Sequence, residues 1–175
     1  MTLTDVTSIS PVNLSPSEQR QYRVVCAALY CYYNADRLFY TNVRGQALKD
    51  QWQPPPYVPH ALDCSAFVTY CYRVAGAEDP NGHGYDPNSI STAELWSNGQ
   101  LLGGSNTSAN GLIPGDLCFY AYGSLGQGMH GGMSEHVAVY ISQGKVVSMG
   151  SDEGPLVLDY NVSSKPLFGV RRYKF

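Results

Sequence analysis

Apolar positions in the first half of the chain recur with a helical period. Phe67, Val68, Cys71, Tyr72 and Ala75 have the spacing of one helix face. Asp63 precedes them as an N-cap residue and Gly76 follows as a stop, so a helix is expected from Cys64 to Ala75. Upstream, Ser15-Pro16-Ser17-Glu18 combines a capping box with proline at the first helical position. That helix is expected to run to about Asp36. Tyr22, Val25, Cys26, Leu29, Tyr32 and Tyr33 should form its apolar face and pack against the Cys64 helix. Ser91-Thr92-Ala93-Glu94 reads as a second capping box, opening a short helix that ends near Gly99.

From Asp116 onward the pattern changes to short apolar runs. Strands are expected at 116–122, 136–142, 145–149, 156–160 and 169–175. Helices followed by strands predict an α+β domain built on a central antiparallel sheet.

The intervening segments read as loops. Residues 1–14 are Thr/Ser-rich and predict a flexible arm, leaving 15–175 as a single domain. Pro54-Pro55-Pro56-Tyr57-Val58-Pro59 predicts an extended wall leading into the Cys64 helix. In 76–90, Asp79, Asn81, His83 and Gly84 are spaced like a calcium loop, but Ile90 stands where the closing acid is needed. No metal or other cofactor is expected. Residues 97–111 are rich in Gly, Ser and Asn and predict loop. A long Gly-rich loop with His130 is expected over 123–134.

Composition narrows the function classes. The net charge of -3 argues against nucleic acid as a partner, since such proteins need a basic patch. Five cysteines at long spacings form neither a disulfide framework nor a Cys-x-x-Cys zinc pair. Fourteen tyrosines suit contact with sugars or peptides, and equally an ordinary core. The start Met1-Thr2-Leu3-Thr4-Asp5-Val6 has no basic cluster or apolar run, so neither a secretory leader nor membrane insertion is expected.

Cys64 falls in the first turn of its helix, where free N–H groups and the helix dipole favour a thiolate. It is a candidate nucleophile, and histidine is the natural base for it. Four histidines are available: His60, His83, His130 and His136. His136 opens a strand and so has a rigid platform. A hairpin turning at Gln143-Gly144 would then fix what lies beside it. Regular pairing puts Met149 and Ser151 on the His136 face. A one-residue slip or bulge would bring Ser148 and Asp152 there instead.

The run Asp63-Cys64-Ser65-Ala66-Phe67-Val68 resembles the Asp-Cys-Ser-Gly-Phe-Val signature of the NlpC family of papain-like cell-wall cysteine peptidases, with alanine replacing the glycine. Pro114-Gly115-Asp116-Leu117, His136-Val137-Ala138-Val139-Tyr140 and Gly150-Ser151-Asp152-Glu153-Gly154-Pro155 extend the match in order. Together these look most like the peptidase domains of lysins from phages of actinobacteria.

The resemblance implies the papain-like NlpC fold, with the nucleophile helix packed on the sheet. It implies Cys64 as nucleophile, His136 as base, and a stem-peptide amide of peptidoglycan as substrate. Tyr40, with Tyr57 as rival, takes the place of a family tyrosine that contributes to the oxyanion hole, and Asp63 and Ser65 flank the nucleophile. The chain departs from the family at the third catalytic position. Met149 occupies the slot where these lysins usually carry histidine, and other branches place the residue at Ser148. Ser151, Ser148 or Asp152 is then the expected orienter, with Ser151 put first. The alternative is an impaired structural or wall-binding virion component. Synthesis in a host cytoplasm, action at the bacterial wall and association with other virion proteins are also implied.

Overall fold

The computed structural model describes residues 14–121, 136–150, 154–161 and 166–175. The order is α1 (Pro16–Tyr33), β1 (Phe39–Tyr40), α2 (Gln46–Lys49), β2 (Ala61–Leu62), α3 (Cys64–Ala75), α4 (Thr92–Ser97), β3 (Gln100–Gly104), β4 (Leu117–Tyr120), β5 (His136–Ser142), β6 (Lys145–Met149), β7 (Pro155–Asp159) and β8 (Leu167–Arg172). The last six strands form an antiparallel sheet in the order β3-β8-β4-β5-β6-β7. This is the expected α+β architecture. The arm expected over 1–14 falls outside the described residues save for Leu14.

α3 begins and ends where its sequence says. The Asp63 carboxylate accepts from the Ala66 N–H, and Gly76 closes the helix in the left-handed region at φ 70°. Phe67, Val68, Tyr70, Cys71 and Tyr72 are fully buried. α1 packs along α3.

Its contact face overlaps the expected one only in part, through buried Val25 and through Leu29 and Tyr32 packed on the core. Val24, Ala27, Ala28 and Cys31 are buried, whereas Tyr33 is 71% exposed and Tyr22 lies at the surface. Small side chains let the two helix axes approach, and the bulkier tyrosines are displaced to the rim. α1 also stops at Tyr33, short of Asp36, and a 3₁₀ turn follows over Ala35–Arg37.

β3 occupies part of the segment expected to be loop. Its glycines hid it, because glycine weakens strand propensity. A glycine of β8 lets the two strands pack closely: a Cβ on Gly169 would lie 2.8 Å from the Gly103 carbonyl oxygen. The capping box at α4 is half formed. Ser91 accepts from the Glu94 N–H, but the Glu94 carboxylate pairs with His83 instead of reaching back.

Asp116 ties the start of β4 to the chain's end. Its wholly buried carboxylate accepts from the Ile113 N–H and from Arg172 Nε and Nη2. Among the described residues no helix is long and apolar enough to cross a membrane.

Candidate active site

Two short strands missing from the sequence expectation bring the site's first wall into place. β1 and β2 pair in parallel, Phe39 with Ala61 and Tyr40 with Leu62. β2 runs directly into the Asp63 cap, so Tyr40 is held alongside the first turn of α3. Its hydroxyl bonds the Cys64 sulfur. Tyr57, the rival, lies in the proline-rich segment, which is pinned to α1 by a 2.7 Å bond from the Tyr30 hydroxyl to the Pro56 carbonyl.

Cys64 is 5% exposed. Besides the Tyr40 hydroxyl, the backbone groups of Val137 and Ser65 are hydrogen-bonded to its sulfur. Val137 is the residue after His136, so α3 abuts β5 at the site. The thiolate expected from the helix N-terminus is not what the resting site favours. Burial, followed by the charge of Asp63, pushes the Cys64 thiol up to about 11, against the pull of its three hydrogen-bond partners.

Asp63 is itself part of a network. Arg44 Nη2 donates to Asp63 Oδ2 at 2.7 Å and to Ser65 Oγ at 3.1 Å. Ser65 Oγ donates to Asp63 Oδ1 at 2.8 Å. Arg44 is anchored from behind, with Nε donating to the Ile90 carbonyl and Nη1 to its neighbour Val43. Sequence reasoning named Asp63 and Ser65 but not Arg44, which carries no local signal.

His136 and the residue beside it come from the β5–β6 hairpin. Gln143 and Gly144 form the turn, both at positive φ, and Ser142 pairs with Lys145 as expected. Ile141 then bulges. Tyr140 pairs with Val146 and Ala138 with Ser148, one residue earlier than in regular pairing. The bulge puts Ser148 on the His136 face, and His136 Nε2 lies 2.7 Å from Ser148 Oγ. Met149 points to the opposite face and is fully buried in the core under the helices.

Both His136 and Ser148 are buried, at 1% and 5% exposure. The Tyr120 ring flanks His136 with centroids 5.9 Å apart. Ser151, Asp152 and His130 lie outside the described residues. His60 is exposed, and His83 pairs with Glu94 at 2.9 Å.

Among the described residues no group of three or more His, Cys, Asp or Glu side chains could hold a metal ion. The Asp79 carboxylate is instead spent on its own loop, accepting from the N–H groups of Asn81, His83 and Tyr85.

No curated protein sequence matches the chain. Among solved structures, NlpC2 from Trichomonas vaginalis superposes with a TM-score of 0.59 at 16% identity, over 94% of this chain and 50% of that one. The P60 domain of an antigen from M. avium paratuberculosis gives 0.54 at 17% identity, covering 90% of this chain and 95% of the other. The peptidoglycan hydrolase RipB from Mycobacterium tuberculosis gives 0.50 at 17%, over 97% and 76%. The chain spans about half the length of each Trichomonas protein it matches, 44% of NlpC1 and 50% of NlpC2. The NlpC/P60 family pattern covers residues 51–171, from the proline-rich wall through β8, and the chain belongs to the NlpC/P60 family.

Proposed function

We propose that the protein is a cysteine endopeptidase that cuts an amide bond in peptidoglycan stem peptides. The observation that carries this reading is the meeting of two elements. The sulfur of Cys64, at the start of α3, is hydrogen-bonded at the first residues of β5, where His136 stands anchored to Ser148. Family membership and the likeness to a peptidoglycan hydrolase support the substrate class.

The neutral resting thiol requires a base at the moment of attack. With Nε2–H donating to Ser148 Oγ, the lone pair of His136 sits on Nδ1, and that nitrogen takes the Cys64 proton. The sulfur adds to the amide carbon, and the Cys64 N–H and the Tyr40 hydroxyl stabilise the oxyanion. The C–N bond breaks as His136 returns the proton to the leaving amine. Water, deprotonated by His136, then hydrolyses the thioester and restores the thiol. Ser148 is the orienter in this scheme; Ser151, expected first, lies outside the described residues.

The finer assignment, a lysin or virion-borne enzyme of phages of actinobacteria, rests on the sequence resemblance. In that role the protein is made in the host cytoplasm, is delivered by lysis or by the virion, and shares the particle with other virion proteins. The competing reading, a wall-binding component with an impaired site, is favoured by the raised Cys64 thiol and by serine at the orienting position.

Digestion of purified actinobacterial peptidoglycan separates the two. Mass spectrometry of released fragments should show new amine and carboxyl ends with the wild type and none with Cys64→Ala. Binding of both proteins to the wall without release by either would support the impaired reading.

A further inference from the structure

Every polar atom of the Arg44 side chain that contacts the site does so through residues beside the nucleophile, never through Cys64 itself. Nη2 bridges Asp63 Oδ2 and Ser65 Oγ, while Nε and Nη1 fasten the guanidinium to the carbonyls of Ile90 and Val43. The pair is largely shielded, with 25% of the Arg44 side chain and 12% of the Asp63 side chain exposed. A charge of this kind is held in one geometry by a fixed fork.

Asp63 needs such a counter-charge. It caps α3, and its carboxylate lies next to the sulfur in sequence and in space. It is the second cause, after burial, that raises the Cys64 thiol. Left uncompensated, the same carboxylate would oppose the thiolate more strongly. Among the described residues, the Tyr40 hydroxyl from β1 also meets the Cys64 sulfur, and His136 precedes Val137, whose backbone bonds that sulfur.

We propose that Arg44 is a positioning residue for the nucleophile: it acts on Cys64 through Asp63, compensating the cap's carboxylate and clamping the first turn of α3 to the segment ending at Ile90. This rests on Cys64 being the nucleophile. The cap supplies the helix start that the fold requires, and Arg44 reduces the electrostatic penalty that the cap imposes on catalysis.

The test is the pH profile of Cys64 alkylation by iodoacetamide in the full chain, read peptide by peptide in the mass spectrometer. Arg44→Met and Arg44→Gln both remove the charge, and glutamine keeps a hydrogen-bonding group toward Ser65. Each is expected to shift the profile to higher pH by about one unit, an approximately tenfold slower reaction at fixed pH. Arg44→Lys keeps the charge and should stay within about twofold of wild type. Adding Asp63→Asn to Arg44→Met should recover most of the loss, because the carboxylate to be compensated is gone.

Unchanged profiles for both neutral variants would overturn the proposal. So would a loss in Arg44→Lys equal to that in Arg44→Gln, which would mark a role in packing alone. Alkylation needs no substrate, so this failure and a failure of the peptidase reading are visible separately.

Discussion

Cys64 and Cys71 lie two turns apart on the same face of α3, yet the structure treats them differently. Both are buried thiols. Cys71 is fully enclosed, and burial, with the neighbouring Cys31 adding to it, drives its thiol well above its ordinary value. Cys64 is also raised, but the Tyr40 hydroxyl and the backbone groups of Val137 and Ser65 work against burial and hold the rise to about 11. A cysteine in a core behaves as a small hydrophobe. The same residue at a helix start, against a strand end and a tyrosine, can take part in chemistry. What separates them is the set of hydrogen-bonding groups that the fold assembles at the sulfur.

Several substitutions can break that contrast. The largest effect is expected from Cys64→Ala, which should abolish fragment release from peptidoglycan, whereas Cys71→Ala should leave release intact and lower stability by about 1–3 kcal/mol in denaturant titration. Tyr40→Phe removes a hydroxyl from the sulfur and from the expected oxyanion. Turnover of a stem peptide should fall by about 10²-fold with little change in thermal stability.

The two faces of β6 give the next contrast. Ser148→Ala removes the hydroxyl from His136 Nε2 and should cost about 10-fold in turnover. Met149→Ala, on the other face, should instead cost about 2–5 kcal/mol of stability, and any loss of turnover should follow the unfolded fraction.

The smallest effect is on pH dependence. A raised thiol binds its proton more tightly when folded than when unfolded. Its contribution to stability is therefore complete below about pH 8.5, the unfolded thiol's pKa, and declines as pH rises toward about 11. Chemical denaturation of the wild type and of Cys64→Ser across that range should diverge, with the wild type losing more.

How much of this could be read from the sequence depended on distance along the chain. The start and end of α3 were legible because cap, period and stop are neighbours: Asp63, the Phe67–Ala75 face and Gly76. The strand opening at His136 was legible for the same reason. Which residue of β6 faces it was not, because a single bulge at Ile141 decides between Ser148 and Met149, and no residue there announces a bulge. Tyr40 could be named from the family pattern, but its placement comes from a parallel pairing with residues twenty-two positions away. Arg44 was missed because its partners are a cap nineteen residues on and a carbonyl forty-six residues on. The face of α1 was legible at Val25, Leu29 and Tyr32 but not at Ala27 and Ala28, because the expectation favoured large apolar residues where helix packing selected alanines.

The central claim is that Cys64 forms a thioester with the substrate's acyl half while His136 moves the proton. Rapid acid quench of the protein with a purified muropeptide, followed by intact-mass and peptide mapping, tests it directly. The account predicts a transient adduct on Cys64 with the mass of the acyl fragment, absent in Cys64→Ala and much reduced in His136→Ala. Stem-peptide cleavage that persists in Cys64→Ala would contradict it, as would an adduct that maps to another residue.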